Sequence, residues 1–251
     1  MKYILLVAVH GAGGGGWEYY KWKEYIMKYN NDNNTNITFE AIDLLPVNNE
    51  YEITTFNDYV NQIIESYNSY NNNNTNNNEY NEVYLIGASM GGCLIAKAAE
   101  KIKPTGCIYV CTTIPIFKGL TPIYHNIQHI YPSRIKWKDS PLQDTIDAIP
   151  DADINTQIIA CQKFKDESGN VLNEIFKGVE CEKVTEYNCI LVPMNDNTIS
   201  PSLQIQFGKS INAGIIIIII NISSSSSSIS SISSSSSIII IIIKYYNYHN
   251  Y

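Results

Sequence analysis

The sequence predicts an α/β fold built on a mostly parallel, doubly wound sheet. Short β-branched and aromatic runs alternate with segments of helical periodicity, the pattern of successive βα units with helices on both faces of a sheet. The first run, residues 2–9, is apolar throughout instead of alternating, as expected of a strand buried on both faces. Gly87-Ala88-Ser89-Met90-Gly91 is a G-x-S-x-G pentapeptide set between a strand-like run (82–86) and a helix-like one (93–100). Strand, sharp turn and helix are the setting in which a serine hydroxyl is lifted above a sheet, and so tight a turn needs small flanking residues.

The remaining elements follow in order. After the first strand comes His10-Gly11-Ala12-Gly13-Gly14-Gly15-Gly16. So many glycines let a backbone turn tightly and approach a ligand closely. A phosphate cradle would end in Lys-Ser/Thr or show G-x-G-x-x-G spacing opening a helix, and neither is present. An oxyanion loop, whose backbone N–H faces a developing negative charge, fits a strand ending in His-Gly. Residues 17–29 read as a helix whose Tyr20, Trp22, Tyr25, Ile26 and Tyr29 pack into the core. Residues 37–42 read as a strand, and 54–67 as an amphipathic helix capped by Thr55 or Asn57. The asparagine-rich stretch 68–81 cannot build a core and is expected to be a disordered surface loop. Residues 106–111 are the next core strand.

From 112 to about 186 the alternation lapses, broken by Pro115, Pro122, Pro132, Pro141 and Pro150. Short helices are expected at 145–149, 154–164 and 171–177, forming a small cap inserted over the serine, with Phe117, Tyr124 and Trp137 as candidate apolar lining. Such caps exclude water and shape a substrate pocket. Residues 187–193 return to strand and place Asp196 just past its end, on the sheet edge that carries the serine. A helix over 201–211, with Pro201 in its first turn, and a last strand over 215–220 complete a domain of residues 1–220. Residues 221–251 are a low-complexity tail of serine, isoleucine and tyrosine. Its alternating isoleucine and serine blocks are what an ATC repeat encodes when its reading frame shifts, so the tail reads as repeat-expanded.

Composition narrows the partners. The net charge is −7, charged residues are 16% of the chain, and no basic cluster stands out, which argues against nucleic acid and anionic membrane. The isoleucine runs 215–220 and 238–243 are too short to span a bilayer. Residues 1–9 lack the length and cleavage site of a signal peptide. The six cysteines form no C-x-x-C pair and join no histidine cluster, so no metal is expected. Free thiols in a reducing cytoplasm are the reading of those cysteines.

Taken together, Val9-His10-Gly11-Ala12-Gly13 with Trp17, Ile42-Asp43-Leu44, the Gly87–Gly92 elbow and Asp196-Asn197-Thr198-Ile199-Ser200-Pro201 resemble the α/β-hydrolase superfamily. The resemblance is to its small-lidded branch of plant methylesterases and hydroxynitrile lyases, and it extends over about residues 1–214. It implies an α/β-hydrolase fold and a serine hydrolase of carboxylic esters or related small acyl substrates, with no cofactor. Ser89 would be the nucleophile, Ala12 and Met90 would give the oxyanion-hole N–H groups, and Asp196 would orient a catalytic histidine. His10 would be a structural part of the oxyanion loop. The acid loop departs from the family pattern, with Ser200 where proline is usual and Pro201 one step later.

The larger departure is the base. The family's histidine follows the last strand, and residues 221–223 onward hold none. His125 and His129 precede the acid, and His249 lies in the tail. A serine hydroxyl is a poor nucleophile without a base, so the sequence also admits a hydrolase-fold binding protein with an impaired site. A lyase on the same scaffold would need the same base.

Overall fold

A computed structural model describes residues 2–72, 80–117, 120–122, 130–150, 152–182, 185–196, 198–221 and 237–243. His125, His129, His249, Tyr124, most of the asparagine tract (73–79) and most of the tail lie outside them.

Among the described residues nine strands and seven α-helices follow one another as β1 (Tyr3–Val9), α1 (Tyr20–Asn33), β2 (Asn36–Ile42), α2 (Phe56–Asn72), β3 (Glu82–Ala88), α3 (Met90–Ile102) and β4 (Gly106–Val110), then β5 (Arg134–Ile135), α4 (Leu142–Ala148), α5 (Ile154–Lys163), β6 (Glu167–Ser168) and α6 (Gly169–Lys177), and finally β7 (Tyr187–Pro193), α7 (Pro201–Ser210), β8 (Gly214–Asn221) and β9 (Ser237–Ile243). The main sheet runs β2-β1-β3-β4-β7-β8-β9. It is parallel through β8, while β9 returns antiparallel. The order reverses between β1 and β3, and ligands of open α/β sheets bind at the carboxyl ends of strands near such a switch point. The register pairs Val9 with Gly87, Ala88 with Val110, and Val110 with Leu191. The loops after β1, β3, β4 and β7 therefore emerge together on one edge.

The larger core lies on the sheet face covered by α2, α3 and α6, where Leu5, Val7, Val9, Leu85, Leu94, Ile63 and Ile175 are wholly buried. α7 closes the sheet beyond β4, with Phe207 edge-on to Tyr109 at 5.2 Å between ring centres. On the opposite face a small cluster of Ala8, Tyr19, Phe39 and Ile86 suffices.

That small cluster explains a departure from the sequence reading. No residue of α1 is buried; Tyr25 is 70% exposed and Tyr20 53%, and of α1 only Ile26 and Trp22, whose ring stands edge-on to Tyr19 at 5.9 Å between ring centres, touch the cluster. Tyr19, one residue before α1, takes the core position and donates its hydroxyl to Val9 O at 2.8 Å. α2 begins as expected. Thr55 is the cap: its Oγ1 accepts from Asp58 N at 3.4 Å, and Asp58 Oδ2 accepts from Thr55 N at 2.8 Å, a reciprocal capping box. The helix runs on to Asn72, so the asparagine tract opens as helix and not as loop. At its far end Asn81 accepts from Tyr3 N at 2.8 Å and ties the tract to β1.

Within 112–186, α4 and α5 pack on each other, while α6 packs on α2 and α3 with Val171, Leu172 and Ile175 in the main core. Phe117 is also buried in that core and lines no pocket at the serine, contrary to expectation. In the tail, the second isoleucine run pairs with the first as β9, Ile215 opposite Ile243 through Asn221 opposite Ser237. β-branched composition favours that outcome over an unstructured tail. Among the described residues no helix is long and apolar enough to cross a membrane.

Candidate active site

Ser89 sits between β3 and α3 with φ 48° and ψ −116°, a conformation that costs a non-glycine residue about 1–3 kcal/mol. The surroundings over-determine it. Ser89 N donates to Val110 O at 2.9 Å, and Ser89 O accepts from Gly92 N at 3.0 Å, Thr113 N at 3.0 Å and Thr113 Oγ1 at 3.1 Å. Gly91 is glycine because a Cβ there would meet the carbonyl oxygens of Val9 and His10.

The glycine loop after β1 lies against this turn. A Cβ placed on Gly11 would be 3.2 Å from Ser89 Cβ and 3.9 Å from Ser89 Oγ. Met90 N–H opens α3 and has no acceptor within the helix. Among the described residues Ala12 N–H has no acceptor either. Among the described residues neither N–H is committed to an acceptor.

His10 is 2% exposed and structural in its contacts. Its Nε2 accepts from Leu44 N at 3.0 Å, which leaves the proton on Nδ1 to donate to Gly11 O at 2.6 Å. Burial pulls its pKa down to about 4. With both ring nitrogens committed to the backbone, it is not placed to take a proton from Ser89. It is the only histidine among the described residues.

Asp196 follows β7 and shares a cavity of about 900 Å³ with Ser89, Ala12, Trp137 and Phe164. Its Oδ1 accepts from Thr198 N at 2.9 Å and Ile199 N at 2.8 Å, and its Oδ2 from Gln204 Nε2 at 3.0 Å. A carboxylate offers about four lone-pair sites, so one on Oδ2 remains for a further donor. Cys111 lines the same cavity, but burial, aided by the Asp196 charge, pushes its thiol up to about 12 and keeps it protonated.

Three polar residues here escaped the sequence reading. Gln204 is wholly buried and braces Asp196, while its own Oε1 has no partner. Glu167 is 2% exposed and accepts from Gly13 N at 2.9 Å. Glu18 lines the cavity, and its carboxylate fills the space a Cβ on Gly14 would need. Burial raises Glu18 to about 7 against the pull of the Gly15 and Gly11 N–H groups. An acid within the run Trp17-Glu18-Tyr19-Tyr20, directly after the glycines, was the available signal. All six cysteines are free. Among the described residues no group of three His, Cys, Asp or Glu is placed to hold a metal.

No family model matches the chain, and no curated protein does. Solved structures do. A mutant of polyneuridine aldehyde esterase superposes with a TM-score of 0.62 at 18% identity, over 88% of this chain and 91% of that one. A methylesterase from Arabidopsis gives 0.61 at 13%, over 86% and 89%. Tomato methylketone synthase I, complexed with 2-tridecanone, gives 0.60 at 18%, over 88% and 90%. With a mostly parallel sheet flanked by helices, the chain has the α/β-hydrolase fold of these neighbours.

Proposed function

We propose that the chain is a serine hydrolase of carboxylic esters or related small acyl substrates. One observation carries the reading: Ser89, on its strained elbow, opens beside two free N–H donors into a cavity that Asp196 also lines. The polyneuridine aldehyde esterase and methylesterase among the fold neighbours support it.

In this mechanism Ser89 Oγ attacks the carbonyl carbon and yields its proton to a base. The carbonyl oxygen becomes an anion held by Ala12 and Met90 N–H. The tetrahedral intermediate collapses, the alkoxide leaves with the proton, and an acyl-enzyme remains on Ser89. Water then attacks, the proton passes back through the base, and the acid departs. Asp196 orients that base with its remaining lone pair. Of the histidines after Asp196 the sequence offers only His249, in the tail. The hydrolase domain spans residues 1–220, with the insertion over about 112–186 contributing Trp137 and Phe164 to the pocket, and residues 221–251 are appended to it. The free cysteines fit a reducing cytoplasm.

Hydrolysis of short p-nitrophenyl esters by the full chain tests the reading. Ser89→Ala is expected to lower kcat by on the order of a million-fold where the full catalytic unit operates. His249→Ala lowers it as far if the tail supplies the base. Saturable binding of ester with no turnover in the parent chain would replace the hydrolase with a binding protein on the same fold.

A further inference from the structure

We propose that Glu167 is a positioning residue that fixes the oxyanion loop and couples it to the insertion. The inference rests on Ala12 as an oxyanion donor and deepens that reading. Gly13, the next residue, has φ +70° and is gripped on both of its backbone polar groups by one short segment. Its N–H donates to Glu167 Oε2 at 2.9 Å, and its C=O accepts from Lys165 N at 2.8 Å. The peptide planes on either side of Gly13 are therefore set, and the first of them carries the Ala12 carbonyl. The Trp137 ring closes the third side, so near that a Cβ on Gly13 would lie 2.6 Å from it.

Glu167 is itself held from two helices. Its Oε1 accepts from the Tyr59 hydroxyl of α2 at 2.7 Å and from Ser168 N, at the start of α6, at 2.8 Å. Ser168 Oγ in turn donates to Thr54 O at 2.7 Å. The carboxylate thus has a donor for each face and no solvent to exchange them with. A buried carboxylate held by three donors from separate elements has one low-energy orientation, and Gly13 N–H inherits it. Tyr59 belongs to the main hydrophobic core, and Ala12 and Trp137 pack against it, so the clamp ties the loop to that core. A buried acid facing the loop that carries an oxyanion donor sets geometry at the point where a displacement of 1 Å costs about 100-fold in rate. Because Lys165 and Glu167 directly follow α5, a shift of the α4–α5 pair would move Gly13 with it.

The test uses the full chain, a fluorophosphonate probe and backbone amide exchange. Glu167→Gln keeps shape but turns an N–H₂ toward either Gly13 N–H or the Tyr59 and Ser168 donors. The saturating labelling rate of Ser89 is expected to fall by roughly 10–100-fold, with the half-saturating probe concentration within about twofold of the parent, a split that general loosening of the fold would not give. Tyr59→Phe removes one of the donors that hold Glu167 and leaves its bond to Gly13, so its rate is expected to fall between that of the parent and that of Glu167→Gln. In the parent chain the Gly13 amide exchanges as slowly as the β1 amides, and in Glu167→Gln it exchanges at least about tenfold faster. A parent-like labelling rate in Glu167→Gln overturns the proposal. So does a Gly13 amide that is unprotected in the folded parent chain, a result that holds even where the variant fails to fold. A parent chain that never labels sinks the serine reading instead, and unchanged Gly13 exchange in Glu167→Gln then sinks the clamp separately.

Discussion

Replacing Glu18 with glutamine should unmask a pH dependence of stability that the parent chain hides. Burial raises Glu18 from its usual value of 4.5 to about 7, so between those pH values the native state holds a proton the unfolded chain has lost. Stability then falls as pH rises, by about 1.4 kcal/mol per unit. Burial lowers His10 from 6.5 to about 4, so between those values the unfolded chain holds the extra proton. Stability then rises with pH at the same slope. Across about pH 4.5 to 6.5 the two slopes cancel. Glu18→Gln removes the first and leaves the second. Relative to the parent, the variant should gain up to about 3 kcal/mol between pH 4 and pH 7.5. Other titrating groups are common to both proteins and drop out of the difference. Urea unfolding at half-unit pH steps, extrapolated linearly, measures it. A difference that stays flat across the range would refute the buried carboxyl beneath the glycine loop.

Further predictions rest on packing and thiol chemistry. Gly91→Ala drives a Cβ into the Val9 and His10 carbonyls, so it should lower the melting temperature and abolish any Ser89 labelling together. Phe207→Ala empties the contact with Tyr109 beneath β4 and should cost about 3–5 kcal/mol in urea unfolding. Cys111, with its thiol near 12, should react with iodoacetamide at pH 8 at least about 100-fold more slowly than a free cysteine, whose pKa is about 8.5. Fast alkylation assigned to Cys111 by peptide mapping would show that its thiol is not buried beside Asp196.

The sheet was legible because its strands are continuous apolar runs, and the elbow because G-x-S-x-G imposes a turn few other residues can make. What could not be read depended on how much each sheet face needs covering. The aromatic residues of α1 have the spacing of a core helix, yet the face they meet is nearly filled by Tyr19 and Phe39. Phe117 and Trp137 are alike as isolated aromatics in the insertion, yet one is core and the other pocket wall. In the site, Ser89 and the glycine loop announce themselves by local pattern. Glu167 and Gln204 do not, because what they do depends on Gly13 and Asp196, which are distant from Glu167 or lie beyond a turn, and no spacing rule reaches such partners. Glu18 lay within reach as an acid among aromatics.

Covalent labelling of Ser89 addresses the central claim most directly. The full chain is treated at neutral pH with a fluorophosphonate, and the intact mass and the peptide containing residues 84–97 are measured for the parent and for Ser89→Ala. The account predicts a single adduct on Ser89 in the parent and none in the variant, with the parent folded in both mock and treated samples. A folded parent that carries no adduct, or one on another residue, would contradict Ser89 as the nucleophile.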